Sequence, residues 1–234
     1  MKFNFNDGKL TIDCEGDSLL YVDPDFFPYK HTKEIEFINA ENVTTIGDDF
    51  LYYCTALKQL DLSPLCNVTT IGKWFLYDCK RLTQLDLTPL GNVTTIGRYF
   101  LGHCEGLKKI DLSPLCNVTT IGNHFLYNCA SLKQIDLSPL GNVTTIGNSF
   151  LGCCVGLEQL DLSPLGNVTT IGESFLFCCY GLTQLDVSPL SNATTIGDYF
   201  LHGCHELKQL DGSPLRLDGS PLLSKWCAHT ETTN

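Results

Sequence analysis

The residues best suited to chemistry in this 234-residue chain are its 13 cysteines. Seven of them recur every 25 residues, at Cys54, Cys79, Cys104, Cys129, Cys154, Cys179 and Cys204. No C-x-x-C pair occurs and the six histidines follow no pattern with the cysteines, so the spacing does not predict zinc. Each of the seven falls among apolar residues, where cysteine packs as a small hydrophobe. We therefore predict a buried row of reduced thiols without a metal or cofactor, and we expect Cys153 and Cys178, which share a second 25-residue column, to be the pair most prone to oxidation.

Aspartate recurs with the same 25-residue period, at Asp61, Asp86, Asp111, Asp136, Asp161 and Asp186. Carboxylates stacked about 5 Å apart on an exposed face repel one another, which predicts raised pKa values for the inner members. Such a column would favour cations, either Ca²⁺ or a basic partner segment. The alternative is a solvated face on which serine hydroxyls relieve the repulsion.

Large aromatic residues and an arginine stand at variable positions of the early repeats: Tyr52, Tyr53, Trp74, Tyr77, Arg98, Tyr99 and Tyr127. Clustered aromatics and arginines are typical of the residues that dominate protein–protein interfaces. They predict a binding site for a partner protein, although they could instead only cover neighbouring turns. The histidines at variable positions, His103 and His124 among them, are expected to be solvated.

Catalysis has no support in the sequence, which contains no Gly-rich phosphate loop, no H-E-x-x-H and no G-x-S-x-G.

Every repeat opens with Asn-Val-Thr or Asn-Ala-Thr, formally a glycosylation sequon. Seven branched sugars would not fit about 5 Å apart, so we expect the asparagine amides to bond backbone groups instead.

The net charge of −11 and the pI near 4.8 argue against nucleic acid or an anionic membrane as a partner. No apolar run approaches the roughly 20 residues of a membrane helix, and the first residues do not resemble a secretory leader. We expect no membrane insertion and, with so many cysteines outside any pairing pattern, a cytoplasmic location. A cell-surface location stays open.

All these columns belong to a repeat. Val-Thr-Thr-Ile-Gly, or Ala-Thr-Thr-Ile-Gly in the last copy, recurs seven times at a spacing of 25, so seven units cover residues 42–216. In residues 57–62 Leu60 and Leu62 alternate with polar residues, which predicts a strand that Pro64 ends. The spacing of Phe50, Leu51, Cys54 and Leu57 predicts a short helix or irregular helical turns, and residues 43–46 a brief extended or turn segment.

One unit exposes too much apolar surface to fold alone, so equivalent segments must stack into a parallel ladder at roughly 4.8 Å per unit. This stacking predicts a solenoid over residues 32–216, made of one degenerate strand and seven 25-residue repeats. Residues 1–31 are predicted to be an N-terminal cap, and residues 217–234 a C-terminal cap and tail.

The order L-x-x-L-x-L-x-x-L, then I-G, then F-L-x-x-C-x-x-L over residues 32–215 resembles the leucine-rich repeats of the treponemal or BspA-like type. Leu65, Leu90 and Leu115 stand where the commonest repeat class has asparagine, so its buried asparagine ladder is not implied. The resemblance implies an α/β fold, a right-handed arc with a parallel β ladder and short helical or irregular outer segments. It also implies a non-catalytic protein-binding scaffold, in some members a cell-surface adhesin or surface antigen. A structural cation-binding module is the remaining alternative.

Overall fold

The structure is a computed structural model that describes residues 1–22, 29–211, 216–217 and 220–221. Its strands are β1 (Lys2–Asn6), β2 (Lys9–Asp13), β3 (Leu19–Leu20), β4 (Glu34–Ile38), β5 (Thr45–Ile46), β6 (Thr70–Ile71), β7 (Thr95–Ile96), β8 (Thr120–Ile121), β9 (Thr145–Ile146), β10 (Thr170–Ile171), β11 (Gln184–Asp186), β12 (Thr195–Ile196), β13 (Gln209–Asp211), β14 (Arg216–Leu217) and β15 (Ser220–Pro221). The helices of the described residues are short 3₁₀ turns at Tyr29–His31, Ser63–Leu65, Thr88–Leu90, Ser113–Leu115, Ser138–Leu140, Ser163–Leu165 and Ser188–Asn192.

Each 25-residue repeat forms one rung, and rungs 1 to 7 begin at Asn42, Asn67, Asn92, Asn117, Asn142, Asn167 and Asn192. Equivalent residues pair in parallel, so that Thr70 faces Thr95 and Ile71 faces Ile96. The pairs build two parallel sheets, ordered β3-β5-β6-β7 and β8-β9-β10-β12. The predicted solenoid of rungs stacked in register is confirmed.

The ladder lies in a different part of the rung from the one predicted. Regular pairing occupies the Thr-Ile segment, whereas residues 57–62 form no strand. Among the described residues their equivalents do so only in β4, the degenerate strand, which pairs with β2, and where β11 pairs with β13. A bend ends this segment: Leu62 has φ −97° and ψ 1°, and Asp61 accepts the backbone N–H of Ser63 at 2.8 Å. The same bend follows β11, so it limits the length of the extended stretch without excluding pairing there.

The outer segment of each rung is irregular, and the helical alternative is wrong. Every second residue has positive φ, as at Trp74 (64°), Leu76 (54°) and Asp78 (62°). Backbone N–H groups bond to adjacent rungs instead of along the segment: Trp74 N donates to Arg98 O at 2.9 Å and Leu76 N to Phe50 O at 2.9 Å. The left-handed residues are held by these bonds between rungs, which offset the steric cost of positive φ.

The core runs along the solenoid axis as columns of identical residues. Phe50 and its six equivalents stack with ring centroids 5.1 to 5.8 Å apart. The glycine of each I-G pair lets successive rungs touch, since a Cβ on Gly97 would lie 2.5 Å from the carbonyl carbon and oxygen of Gly72.

Before rung 1, β1 pairs antiparallel with β2, and β2 pairs in parallel with β4. These strands fall in or next to residues 1–31, where an N-terminal cap is predicted. At the other end β14 and β15 form an antiparallel pair. The remainder of the cap and tail predicted for 217–234 lies outside the described residues.

Candidate binding surfaces

Eight rings come together on the outer segments of rungs 1 to 4, and we call them the aromatic surface: Tyr52, Tyr53, Trp74, Tyr77, Tyr99, His103, His124 and Tyr127. All eight side chains are half-buried. Six of them are predicted site residues, and the seventh predicted residue, Arg98, lies against the same cluster.

The centre of the aromatic surface is a stack of rings that follows the solenoid axis. Trp74 and Tyr99 lie parallel with centroids 3.9 Å apart, and His124 continues the stack 4.1 Å from Tyr99. Tyr52 and Tyr77 form a second stack at 5.3 Å, and Tyr77 meets Trp74 edge-on at 4.8 Å. Because the ring faces cover one another, ring edges are what the surface offers to a partner.

Three further rings extend this centre. Tyr53 packs edge-on against Tyr52 at 4.3 Å. His103 bridges two tyrosines, with centroids 4.9 Å from Tyr77 and 5.4 Å from Tyr127. Of the predicted aromatic site residues, Tyr127 is the one that joins the others through histidine rings.

Charged groups border the rings. The Arg98 guanidinium carbon lies 5.8 Å from the Trp74 centroid, at cation–π distance. Lys73 Nζ pairs with Asp48 Oδ2 at 3.3 Å, and both side chains are about half exposed. The surface therefore combines apolar edges with an accessible guanidinium.

The expectation that His103 and His124 are solvated is wrong. Burial among the neighbouring rings lowers the pKa of both imidazoles, and for His124 the positive charges of Arg98 and His103 lower the pKa further. Nδ1 of His124 is buried and has no hydrogen-bond partner, which disfavours a proton there. His103 Nδ1 lies 3.2 Å from Asn128 Nδ2. The sequence holds a signal that histidine belongs to this cluster, because His124 occupies in rung 4 the position that Trp74 occupies in rung 2.

The fold does not need these rings. Ser149 occupies the position of Trp74 in rung 5, and Gly152 occupies the position of Tyr77. The backbone there is the same: φ is 57° at Ser149 and 64° at Trp74, and Ser149 N donates to Glu173 O at 2.7 Å as Trp74 N does to the next rung. The chain thus contains its own aromatic-free version of this surface.

The aspartate column is exposed, as predicted, but its pKa prediction is wrong. In all six members, Asp61, Asp86, Asp111, Asp136, Asp161 and Asp186, Oδ1 accepts the backbone N–H two residues on at 2.8 Å. The pKa is lowered at Asp61 and Asp161 chiefly by this bond, and at Asp86 chiefly by the Thr88 hydroxyl. These hydrogen bonds outweigh the repulsion between neighbouring carboxylates.

Beside this column lies an open groove of about 790 Å³. Glutamines and aspartates such as Gln134, Asp136, Gln159 and Asp161 line it, and Ile135 lies between them. Within the part of the chain that the structure describes, no three His, Cys, Asp or Glu side chains gather closely enough to hold a metal ion.

The predicted buried thiol row is confirmed. Six of its members are fully buried and Cys204 is 5% exposed. From Cys79 onward each Sγ donates to a leucine carbonyl of the previous rung, as Cys154 does to Leu126 O at 3.2 Å. Burial raises the pKa of every thiol in the row, to about 12 for Cys104, Cys154 and Cys204.

The asparagines that open the rungs also behave as expected. From Asn67 to Asn192 each Nδ2 donates to the backbone carbonyl 26 residues earlier, that of the residue just before the preceding asparagine of the column, with distances of 2.7 to 3.2 Å. The amides therefore join neighbouring rungs at the corner after the proline.

Among the described residues, no helix has the length and apolar character needed to cross a bilayer.

Comparison with known proteins agrees with this architecture. The model of the BspA type leucine rich repeat region matches six copies, over residues 21–140 and 94–214. A leucine-rich repeat protein of T. pallidum superposes with a TM-score of 0.57 at 17% identity, covering 85% of this chain and 95% of that one. A leucine-rich repeat protein of Bacteroides ovatus gives 0.50 at 18% identity, covering 91% and 70%. No curated protein sequence matches the chain. Since the repeat model spans well over half of the sequence, the chain belongs to the BspA-type leucine-rich repeat family.

Proposed function

We propose that this protein is a non-catalytic scaffold and that a partner protein docks on the aromatic surface. Repeat proteins of the leucine-rich family generally act through protein interactions, which supports the scaffold role. The observation that carries the location is the pair of backbone-equivalent rungs, one with Trp74 and Tyr77 and the other with Ser149 and Gly152. Because the turn forms equally well without the rings, its folding does not account for them.

The composition of the aromatic surface supports an interface role. Tyrosine, tryptophan and arginine are the residues that most often dominate binding energy, and here they are contiguous. Their stacking also fixes the side chains before binding, which reduces the rotamer entropy that a partner must overcome.

The internal repeats supply the substitutions for a test. In the triple variant Trp74→Ser, Tyr99→Ser and His124→Ser, each residue becomes the serine that the chain itself carries at the equivalent Ser149. We expect proteins captured by the wild type from extracts of the source cells to be recovered at least tenfold less with this variant. The control is Tyr199→Ser, in the same column but 61% exposed and outside the cluster.

Thermal melting followed by circular dichroism would establish that the triple variant keeps its fold. Equal recovery of the same proteins by the wild type and by a folded triple variant would contradict the proposal. Loss of recovery with Tyr199→Ser as well would also contradict it, because binding would then not depend on the cluster.

For the groove beside the aspartate column we propose a basic segment of a partner as the occupant. The lowered pKa of Asp161 keeps its carboxylate charged, and the glutamines beside it add uncharged hydrogen-bonding groups. Calorimetry with an oligolysine peptide should show weaker binding to Asp136→Asn/Asp161→Asn than to a control with Glu41→Gln and Asp198→Asn, which removes the same charge elsewhere. Equal weakening by both pairs would mean that net charge alone attracts the peptide.

We also propose that the protein works in a reducing compartment. The support is the thiol row, whose members are free cysteines in the core. Fluorescence microscopy of the tagged full-length protein in its source cells tests this location, and display on the cell surface would refute it.

A further inference from the structure

The described cysteines fall into three groups by exposure. Cys14 and the seven thiols of the row are buried, Cys66 and Cys116 are exposed, and Cys153 and Cys178 are half-buried on the outer segments of rungs 5 and 6. A buried thiol cannot meet a reagent, and its raised pKa suppresses the thiolate. Cys66 and Cys116 lie two rungs apart, about 10 Å, beyond the reach of a disulfide.

Cys153 and Cys178 are adjacent in space. They hold the same position on successive rungs, which Cys153 N joins by donating to Phe177 O at 2.6 Å. A rung spacing of about 5 Å lies inside the Cα–Cα range of disulfides, roughly 4.4 to 6.8 Å. The Cys178 thiol is near enough to Cys153 and to Tyr180 to raise the pKa of both groups, at Cys153 after the larger effect of burial.

The surroundings leave both thiols room to move. Cys153 Sγ donates to Tyr127 Oη at 3.2 Å, a bond at the surface and not in the core. On the other side, the next residue of the column is Gly203, where a Cβ would lie only 2.7 Å from Cys178 Sγ. The Cys178 thiol therefore occupies space that a side chain at position 203 would fill, on the side of rung 7.

Backbone preference does not explain these two cysteines. Their column has positive φ, 58° at Cys153 and 54° at Cys178. Elsewhere it holds Asp78, His103, Asn128 and Gly203, which are residue types that tolerate the left-handed region, and Tyr53, which is not. Cysteine has no such tolerance, and the chain places it there on two successive rungs.

We propose that Cys153 and Cys178 form a surface dithiol that is oxidised reversibly to a disulfide by small soluble disulfides. The Cys178 thiol loses its proton to water, and its thiolate attacks one sulfur of the reagent, whose S–S bond breaks to release one thiol. The Cys153 thiol then loses its proton to water, and its thiolate attacks the Cys178 sulfur and displaces the second half of the reagent as a thiolate. Each thiolate released from the reagent takes up a proton. Two protein thiols are oxidised to one disulfide, and one reagent disulfide is reduced to two thiols.

The test uses the full-length protein, first reduced and then incubated with glutathione disulfide. We expect the free thiols of Cys153 and Cys178 to be lost and the combined mass of the segments that carry them to fall by two hydrogens, with no glutathione retained on either cysteine. Cleavage after Glu158 and Glu173 separates the two cysteines, which trypsin cannot do because residues 134–207 contain no lysine or arginine. Mass spectrometry should then show the two peptides joined through Cys153 and Cys178.

Two variants fix the assignment. Cys178→Ser should stop the reaction at a single glutathione adduct or leave it without oxidation, whereas Cys116→Ser should react like the wild type. The proposal is overturned by stable glutathione adducts on both cysteines, by unchanged thiols, or by a disulfide that joins either cysteine to another residue. A Cys178→Ser variant that still loses two thiols would overturn it equally.

Discussion

The thiol row makes stability sensitive to alkali, and the effect can be worked from its burial. A cysteine thiol ordinarily ionises with a pKa near 9, whereas burial raises the pKa to about 12 at Cys104, Cys154 and Cys204. Below pH 9 the thiols are protonated in both states, so their contribution to folding is fully present. As the pH rises from 9 towards 12, the unfolded chain loses protons that the folded chain keeps, and stability falls.

The size of the loss follows from the number of thiols. Once the thiol ionises in the unfolded state, each buried thiol lowers the free energy of unfolding by about 1.4 kcal/mol per pH unit. The seven members of the row together cost about 10 kcal/mol at pH 10, which is comparable to the whole stability of an ordinary domain. We therefore expect the protein to unfold between pH 9 and 10 at a temperature where it is stable at pH 8.

Urea unfolding under reducing conditions, followed by circular dichroism at closely spaced pH values from 8.5 to 10, measures this slope. The double variant Cys104→Ala/Cys154→Ala removes two titrating thiols and should reduce the slope by about 3 kcal/mol per pH unit. The matched control Cys66→Ala/Cys116→Ala removes two exposed thiols and should leave it unchanged. An unaltered slope in the core variant would refute the reasoning, because some other group would then drive the alkaline transition.

Three further predictions concern single positions. Gly97→Ala should lower the free energy of unfolding by about 2 kcal/mol or more, since its Cβ would lie 2.5 Å from Gly72, whereas Gly91→Ala should change thermal melting little because it has only ordinary contacts. Asp161→Asn should cost less than about 1 kcal/mol in urea unfolding at neutral pH; because the pKa of Asp161 is lowered in the fold, the difference from wild type should vanish as the pH falls below 4. His124→Phe keeps a ring against Tyr99 but removes a base whose pKa is lowered by burial, so thermal melting should show less loss of stability between pH 6.5 and 5 than in the wild type.

The sequence predicts the stacking of the rungs because the columns require it. Phe50 and Cys54 recur at one spacing among polar neighbours, and only in-register stacking buries them all. It does not predict the path of the chain within a rung. The apolar spacing from Phe50 to Leu57 fits helical turns, but hydrogen bonds between rungs hold alternate residues at positive φ. A local signal existed in Asp78 and Asn128, residue types that tolerate positive φ, although Leu76 gives none.

The site was harder to predict from sequence than the fold, and for a specific reason. Tyrosines and Trp74 can be recognised as candidate interface residues one at a time. The inclusion of Tyr127 in the cluster depends on His103 and His124, which look like solvated surface residues in the sequence. The pKa of the aspartates likewise depends on a hydrogen bond from the backbone N–H two residues on. The prediction of raised pKa values considered only the repulsion between neighbouring carboxylates and therefore missed this bond.

In a stacked repeat, the comparison between rungs separates what the fold needs from what it does not. Core positions such as Phe75 and Gly97 face the same neighbours in every rung, so their identity is fixed by packing. Positions such as 74 and 99 share one backbone across the rungs yet hold aspartate, tryptophan, tyrosine, histidine or serine. Packing therefore leaves these positions free, and we propose that the contiguous run of aromatic residues on rungs 1 to 4 has a cause outside the rung. A partner surface of about four rungs, roughly 15 Å along the axis between the first and the last, supplies one.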